Sequence, residues 1–100
     1  MPQFEVSVPH GQSKQDAHER LKNFSEKVRE HYSEMVKEVE QNWEGDTLHF
    51  GFKTMGVGIK GNLTVNDNDI HVRGDLPFTA MMFKGKIEST LRDEITRLLT

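Results

Sequence analysis

Residues 39–76 read VEQNWEGDTLHFGFKTMGVGIKGNLTVNDNDIHVRGDL, and the alternation inside this stretch decides the fold. Val39, Gln41 and Trp43 share one parity before Glu44-Gly45-Asp46 supplies turn chemistry. Leu48, Phe50 and Phe52 then point one way while Thr47, His49 and Lys53 point the other. After a reversal at Thr54–Gly56, Val57, Ile59, Leu63 and Val65 share a face, against Lys60, Asn62 and Thr64. Asn66-Asp67-Asn68-Asp69 is another turn, because Asn and Asp side chains bond their own backbone and tolerate positive φ. Ile70, Val72 and Leu76 alternate with His71, Arg73 and Asp75. A period of two with one apolar and one wet face predicts an antiparallel meander of four strands.

Upstream, Phe4, Val6 and Val8 alternate with Gln3, Glu5 and Ser7 and predict a fifth strand, which pairs with Ile70–Leu76 in one arrangement. Ser13 is a good N-cap, and Asp16 three residues on gives an approximate capping box. Ala17, Leu21, Phe24, Val28, Tyr32, Met35, Val36 and Val39 follow at spacings of three and four, a stripe about 120° wide that predicts one helix running to Glu38. Downstream, Ala80, Phe83, Ile87, Leu91, Ile95, Leu98 and Leu99 form the buried side of a second helix. The expectation is therefore α+β, two layers in the order β-α-β-β-β-β-α. A five-stranded antiparallel sheet carries two helices on one face, as one domain over residues 1–100. The pattern looks like a reduced helix-grip fold, a likeness that by itself carries no function.

Composition narrows the classes of function. The chain has 34% hydrophobic and 29% charged residues, a net charge of −3 and no cysteine. Disulfide, thiolate and zinc–cysteine chemistry are excluded, and a reducing cytoplasm is the expected setting. No apolar run approaches the roughly 20 residues that span a bilayer, and the first ten residues lack a secretory pattern. A net negative, charge-interleaved chain is not a non-specific nucleic-acid binder.

No cluster of residues reads as a catalytic centre, so an enzyme is not expected. The five histidines make no i, i+4 metal pair and no H-E-x-x-H. His49 and His71 share the wet face, but a whole strand separates them in a simple meander. No serine sits in a nucleophile elbow, and Asp67 and Asp69 are only a fragment of a calcium loop. No metal or other cofactor is expected.

Residues 74–91, GDLPFTAMMFKGKIESTL, look like more than scaffold. If the last helix starts by Phe78, then Phe78 and Met82 lie opposite the stripe of Ile87, Leu91 and Ile95, with Met81 at its edge. Core packing cannot use them there, and an exposed Phe/Met group suits an apolar contact surface. Gly61 and Gly74 have the parity of inward-facing residues, so the space beside them either admits a close neighbour or is a cavity for an apolar ligand.

Three stretches together carry a family resemblance: FEVSVPH at 4–10, WEGDTLHFGFKTMGVGIKGNLTV at 43–65 and GDLPFTAMMFKGKIE at 74–88. They resemble the polyhydroxyalkanoic acid system proteins, small bacterial proteins encoded among polyester granule genes. The likeness covers essentially the whole chain. It implies a link to polyhydroxyalkanoate synthesis and storage and brings no catalytic residues with it. The expected role is a non-enzymatic accessory protein meeting the granule surface, or a granule protein, through Phe78, Met81 and Met82. The alternative is a soluble carrier that holds a small acyl-type ligand near Gly61 and Gly74. A homodimer through the wet face or a sheet edge is compatible with either.

Overall fold

The computed structural model describes residues 2–100. The strands are β1 (Gln3–Pro9), β2 (Val36–Glu44), β3 (Thr47–Thr54), β4 (Val57–Val65) and β5 (Asp69–Asp75). The helices are α1 (Lys14–Leu21), α2 (Phe24–His31) and α3 (Lys84–Leu99), and a 3-10 helix (Phe78–Phe83) leads into α3. The fold is α+β with one five-stranded antiparallel sheet in the order β1-β5-β4-β3-β2. The first strand does lie beside the last, with Phe4 opposite Gly74 and Val6 opposite Val72.

Strand alternation sorts the sheet into two faces. Phe4, Val6, Leu48, Phe50, Ile59, Leu63, Ile70 and Val72 are buried on one side. Ala17, Leu21, Phe24 and Val28 from α1 and α2, and Ile87, Leu91 and Ile95 from α3, join the same core. Contacts run from α3 to β1, from α2 to β2 and from α1 to β4. The other face is wet and laced by side-chain bonds such as His49 to Asn62 at 2.6 Å and His71 to Glu5 at 2.8 Å.

The single helix expected over 13–38 is two helices and the start of a strand, so three α-helices replace two. Ser13 caps α1 as expected, its hydroxyl accepting from Asp16 N at 3.0 Å. The helix is interrupted at Lys22-Asn23, where Asn23 leaves helical geometry at φ −106° and ψ 30°. A broken helix exposes carbonyl and amide groups that must find partners. Here β2 supplies them: Trp43 Nε1 and Gln41 Nε2 donate to the Lys22 carbonyl at 3.0 and 3.3 Å, and Gln41 Oε1 accepts from Ser25 N at 3.2 Å.

Helix α2 ends at His31, and Val36 already pairs with Thr54 as a strand residue. A β-bulge between Lys37 and Glu40, with Glu38 at φ +51°, inserts one extra residue. Val36 and Val39 therefore both face the core although three residues apart. That spacing imitates a helical turn, which is why periodicity alone extends the helix too far.

Candidate functional site

The site is built on the chain after β5. Leu76 is buried and its amide donates to the Pro2 carbonyl at 2.8 Å, which anchors the exit from the sheet. Pro77, at φ −66° and ψ 155°, turns the chain out of the strand. The next six residues form a 3-10 helix in place of the first turn of an α-helix. With three residues per turn, positions i and i+3 lie in one row. Ala80 and Phe83 make the inward row, Ala80 buried and Phe83 packed against the core. Phe78 and Met81 make a second row, and Met82 falls in the third.

The outward rows are open. Phe78 is 74% exposed, Met82 82% and Met81 49%. The pairing of Phe78 with Met82 expected from α-helical spacing is thus a row of Phe78 and Met81 with Met82 beside it. Lys84 and Lys86 follow directly, both exposed and without an ion-pair partner among the described residues.

A fourth exposed residue, Met55, falls outside the candidates that the sequence suggests. It is 49% exposed at the tip of the β3–β4 hairpin, where Met55 and Gly56 have φ of +51° and +77°. Both positive values are what a type I′ turn requires, and Asn or Gly normally supplies them. Strand register places this tip at the end of the sheet from which the chain leaves for the 3-10 helix. Asp75 pairs with Lys60, so the chain beyond Asp75 travels toward Val57, the first residue after that turn. A narrow apolar crevice opens at the same end, lined by residues that include Tyr32, Met35, Phe52, Met55 and Ile87. Its volume is about 30 Å³, room for little more than one water. The signal that would have found Met55 is a residue with a large apolar side chain where turn chemistry asks for Asn or Gly.

The space beside Gly61 and Gly74 is occupied. A side chain at Gly74 would run into the Phe4 ring. One at Gly61 would come within 2.7 Å of the Arg73 carbonyl and 3.0 Å of the Phe50 ring. The two glycines face each other across β4 and β5, and the rings of Phe4 and Phe50 lie directly on their backbones. A hollow of about 560 Å³ does open on the other, wet side of the same strands, lined by polar groups such as Asn42, His49, Lys60, Asn62 and Arg73. The site residues therefore fall into two separate places, with Phe78, Met81 and Met82 together at one end and Gly61 and Gly74 within the sheet.

Charged groups elsewhere pair among themselves. Arg73 and His71 bond Glu5 and hold its carboxyl below the ordinary carboxylate value. Lys14 and His18 do the same to Asp46, while Asp46 raises Lys14. Asn66 and Ser7 lower Asp69 by hydrogen bonding. The carboxylate of Glu94 is fully buried between α2 and α3, held by His31 Nδ1 at 2.8 Å and Arg97 at 3.2 Å. Among the described residues, no three His, Cys, Asp or Glu side chains come together as metal ligands. Among those residues, no helix is long and apolar enough to cross a membrane.

Among curated proteins, none matches the chain. The family described as "Putative polyhydroxyalkanoic acid system protein" matches residues 4–99, which takes in every strand from Phe4 onward, all three helices and the exposed 3-10 segment. The chain belongs to that family of polyhydroxyalkanoic acid system proteins.

Proposed function

We propose that the protein is a non-enzymatic accessory of polyhydroxyalkanoate metabolism, working in the cytoplasm at the surface of the storage granule. Its contact surface is the exposed row of Phe78 and Met81 with Met82 beside it, and Met55 extends that surface at the same end of the sheet. One observation carries this reading: among the described residues, the four large hydrophobic side chains that stand exposed lie toward one end of the sheet, three of them within five residues. Flexible methionines around a phenylalanine suit an irregular apolar partner, whether polyester or a granule protein.

The energetics favour reversible docking. At about 25 cal/mol per Å², burying two such side chains yields roughly 3–5 kcal/mol before any cost. Loss of rigid-body freedom on association opposes a gain of that size. Firm attachment then calls for several copies or a protein partner on the granule.

The carrier reading has less to stand on. Phe4 and Phe50 fill the space beside Gly61 and Gly74, and the apolar crevice of about 30 Å³ does not hold an acyl chain as it stands.

The test is co-sedimentation of the purified protein with washed polyester granules stripped of native protein. Phe78→Ser with Met82→Ser should abolish binding and leave the melting temperature nearly unchanged, since exposed positions change stability by about 0.5 kcal/mol or less. Binding that survives in a folded double variant would remove the patch. A wild-type protein that ignores bare polymer yet binds native granules in a Phe78-dependent way would assign the contact to a granule protein.

A further inference from the structure

The rest of the fold treats the two edges of the sheet differently. On β1, the outward amide of Glu5 donates to Glu88 Oε2 at 2.9 Å, and the outward carbonyl of Ser7 accepts from Arg92 at 3.1 Å. Glu88 and Arg92 stand one turn apart on α3, so that helix closes the β1 edge with two side chains. Among the described residues, no such cover reaches β2. A two-residue loop joins Glu44 to Thr47, which makes those residues a hydrogen-bonded pair, as are Asn42 with His49 and Glu40 with Gly51. The amides and carbonyls of Gln41 and Trp43 therefore point outward, and no bond beyond the ladder takes them among the described residues.

We propose that the β2 edge accepts an extended segment of a partner protein as a sixth strand, one that alternates basic and apolar side chains. The strand's own chemistry selects that occupant. On the wet face a neighbouring strand would set its side chains about 5 Å from Glu40 and Glu44. Neither has a Lys or Arg partner; Glu44 meets only His49, at 3.2 Å. On the inner face the added strand would meet a seam lined by Phe24, Ser25, Val28, Val39 and Phe52. Ser25 Oγ is buried in that seam and finds no hydrogen-bond partner among the described residues. Basic outside and apolar inside is the complement of both faces.

A second copy of the chain fits poorly. Antiparallel self-pairing centred on Asn42 sets Glu40 directly against Glu44. Directly opposed like charges destabilise a strand pair. The bulge at Glu38 also limits the regular edge to Glu40–Glu44. Bulges and edge charges are common guards against identical edges meeting, and neither guard repels a short basic strand.

The test uses the full chain and a capped seven-residue peptide alternating lysine and valine. At saturation the backbone amides of Gln41 and Trp43 should exchange about 10-fold more slowly with solvent, with smaller changes elsewhere. Trp43 is the chain's single tryptophan, so its fluorescence should follow the same titration. Added salt should weaken binding, and a glutamate–valine peptide of equal length should leave both amides unchanged. Glu40→Lys with Glu44→Lys should exchange the two preferences. Unchanged Gln41 and Trp43 amides at about 1 mM lysine–valine peptide would overturn the proposal. So would protection that appears without peptide alongside a dimer mass in light scattering, because the edge would then belong to a second copy.

Discussion

Two residues show how close the packing runs and where it is relaxed. Gly74 has no room for even a methyl group, because Phe4 occupies the position a Cβ would take. Gly74→Ala should therefore destabilise the protein by about 2–3 kcal/mol through overpacking, read as a fall in denaturation midpoint without loss of slope. Met55 is the opposite case. Its left-handed backbone carries a cost of about 1 kcal/mol that Asn avoids, and its side chain is half exposed. Met55→Asn should raise stability by about 1 kcal/mol while weakening granule binding. A variant that gains stability and binds as before would separate Met55 from the contact surface. Of these two residues only Gly74 was marked in the sequence, because strand parity reveals an inward glycine. Parity cannot say whether a ring or a cavity lies beside it.

At the scale of elements, the strands were legible and the helix boundaries were not. Four strands with a period of two and turns at Gly45-Asp46, Met55-Gly56 and Asn66–Asp69 gave the meander directly, and the unpaired alternation of Phe4, Val6 and Val8 gave the fifth strand. Periodicity overextends the first helix for two physical reasons. Its apolar stripe passes unbroken through Lys22-Asn23, since Leu21 and Phe24 both face the core. What permits the break is Gln41, whose carboxamide serves the Lys22 carbonyl and the Ser25 amide together, and a partner so distant in sequence leaves no local signal. The bulge at Glu38 then lets a strand copy helical spacing. At the other end, α-helical geometry foresaw an exposed Phe78 and Met82, whereas the 3-10 period sets Met81 in the row with Phe78. The segment itself is legible; its pitch is not, because residues three apart, such as Ala80 and Phe83, share a face in a 3-10 helix and an α-helix alike.

Across the whole molecule, the ionic contacts fix a window of pH. Glu5, Asp46 and Asp69 are all held below their ordinary values by hydrogen bonds or charged neighbours. A carboxyl lowered in the folded state stabilises it above the unfolded value and stops doing so as pH falls through the lowered one. Lys14, raised by Asp46, contributes below the ordinary lysine value and ceases to as pH rises beyond it. Stability should thus hold flat through neutrality and decline below about pH 4. Asp46→Asn should melt lower than wild type at neutral pH, with the gap closing near about pH 3; a constant gap would mean that the Lys14–Asp46 contact contributes nothing through its charge.

The β1–β5 pairing has a consequence for synthesis. Gln3 and Asp75 lie 72 residues apart along the chain and side by side in the sheet. Of the five strands β1 is made before the rest and has no neighbour until β5 has emerged, and its outer edge waits longer still, for Glu88 and Arg92. Closing so long a loop costs entropy that a hairpin does not. The meander can assemble as it is made, while the N-terminal strand must be held soluble by its own Gln3, Glu5 and Ser7 until the last helix arrives to seat it.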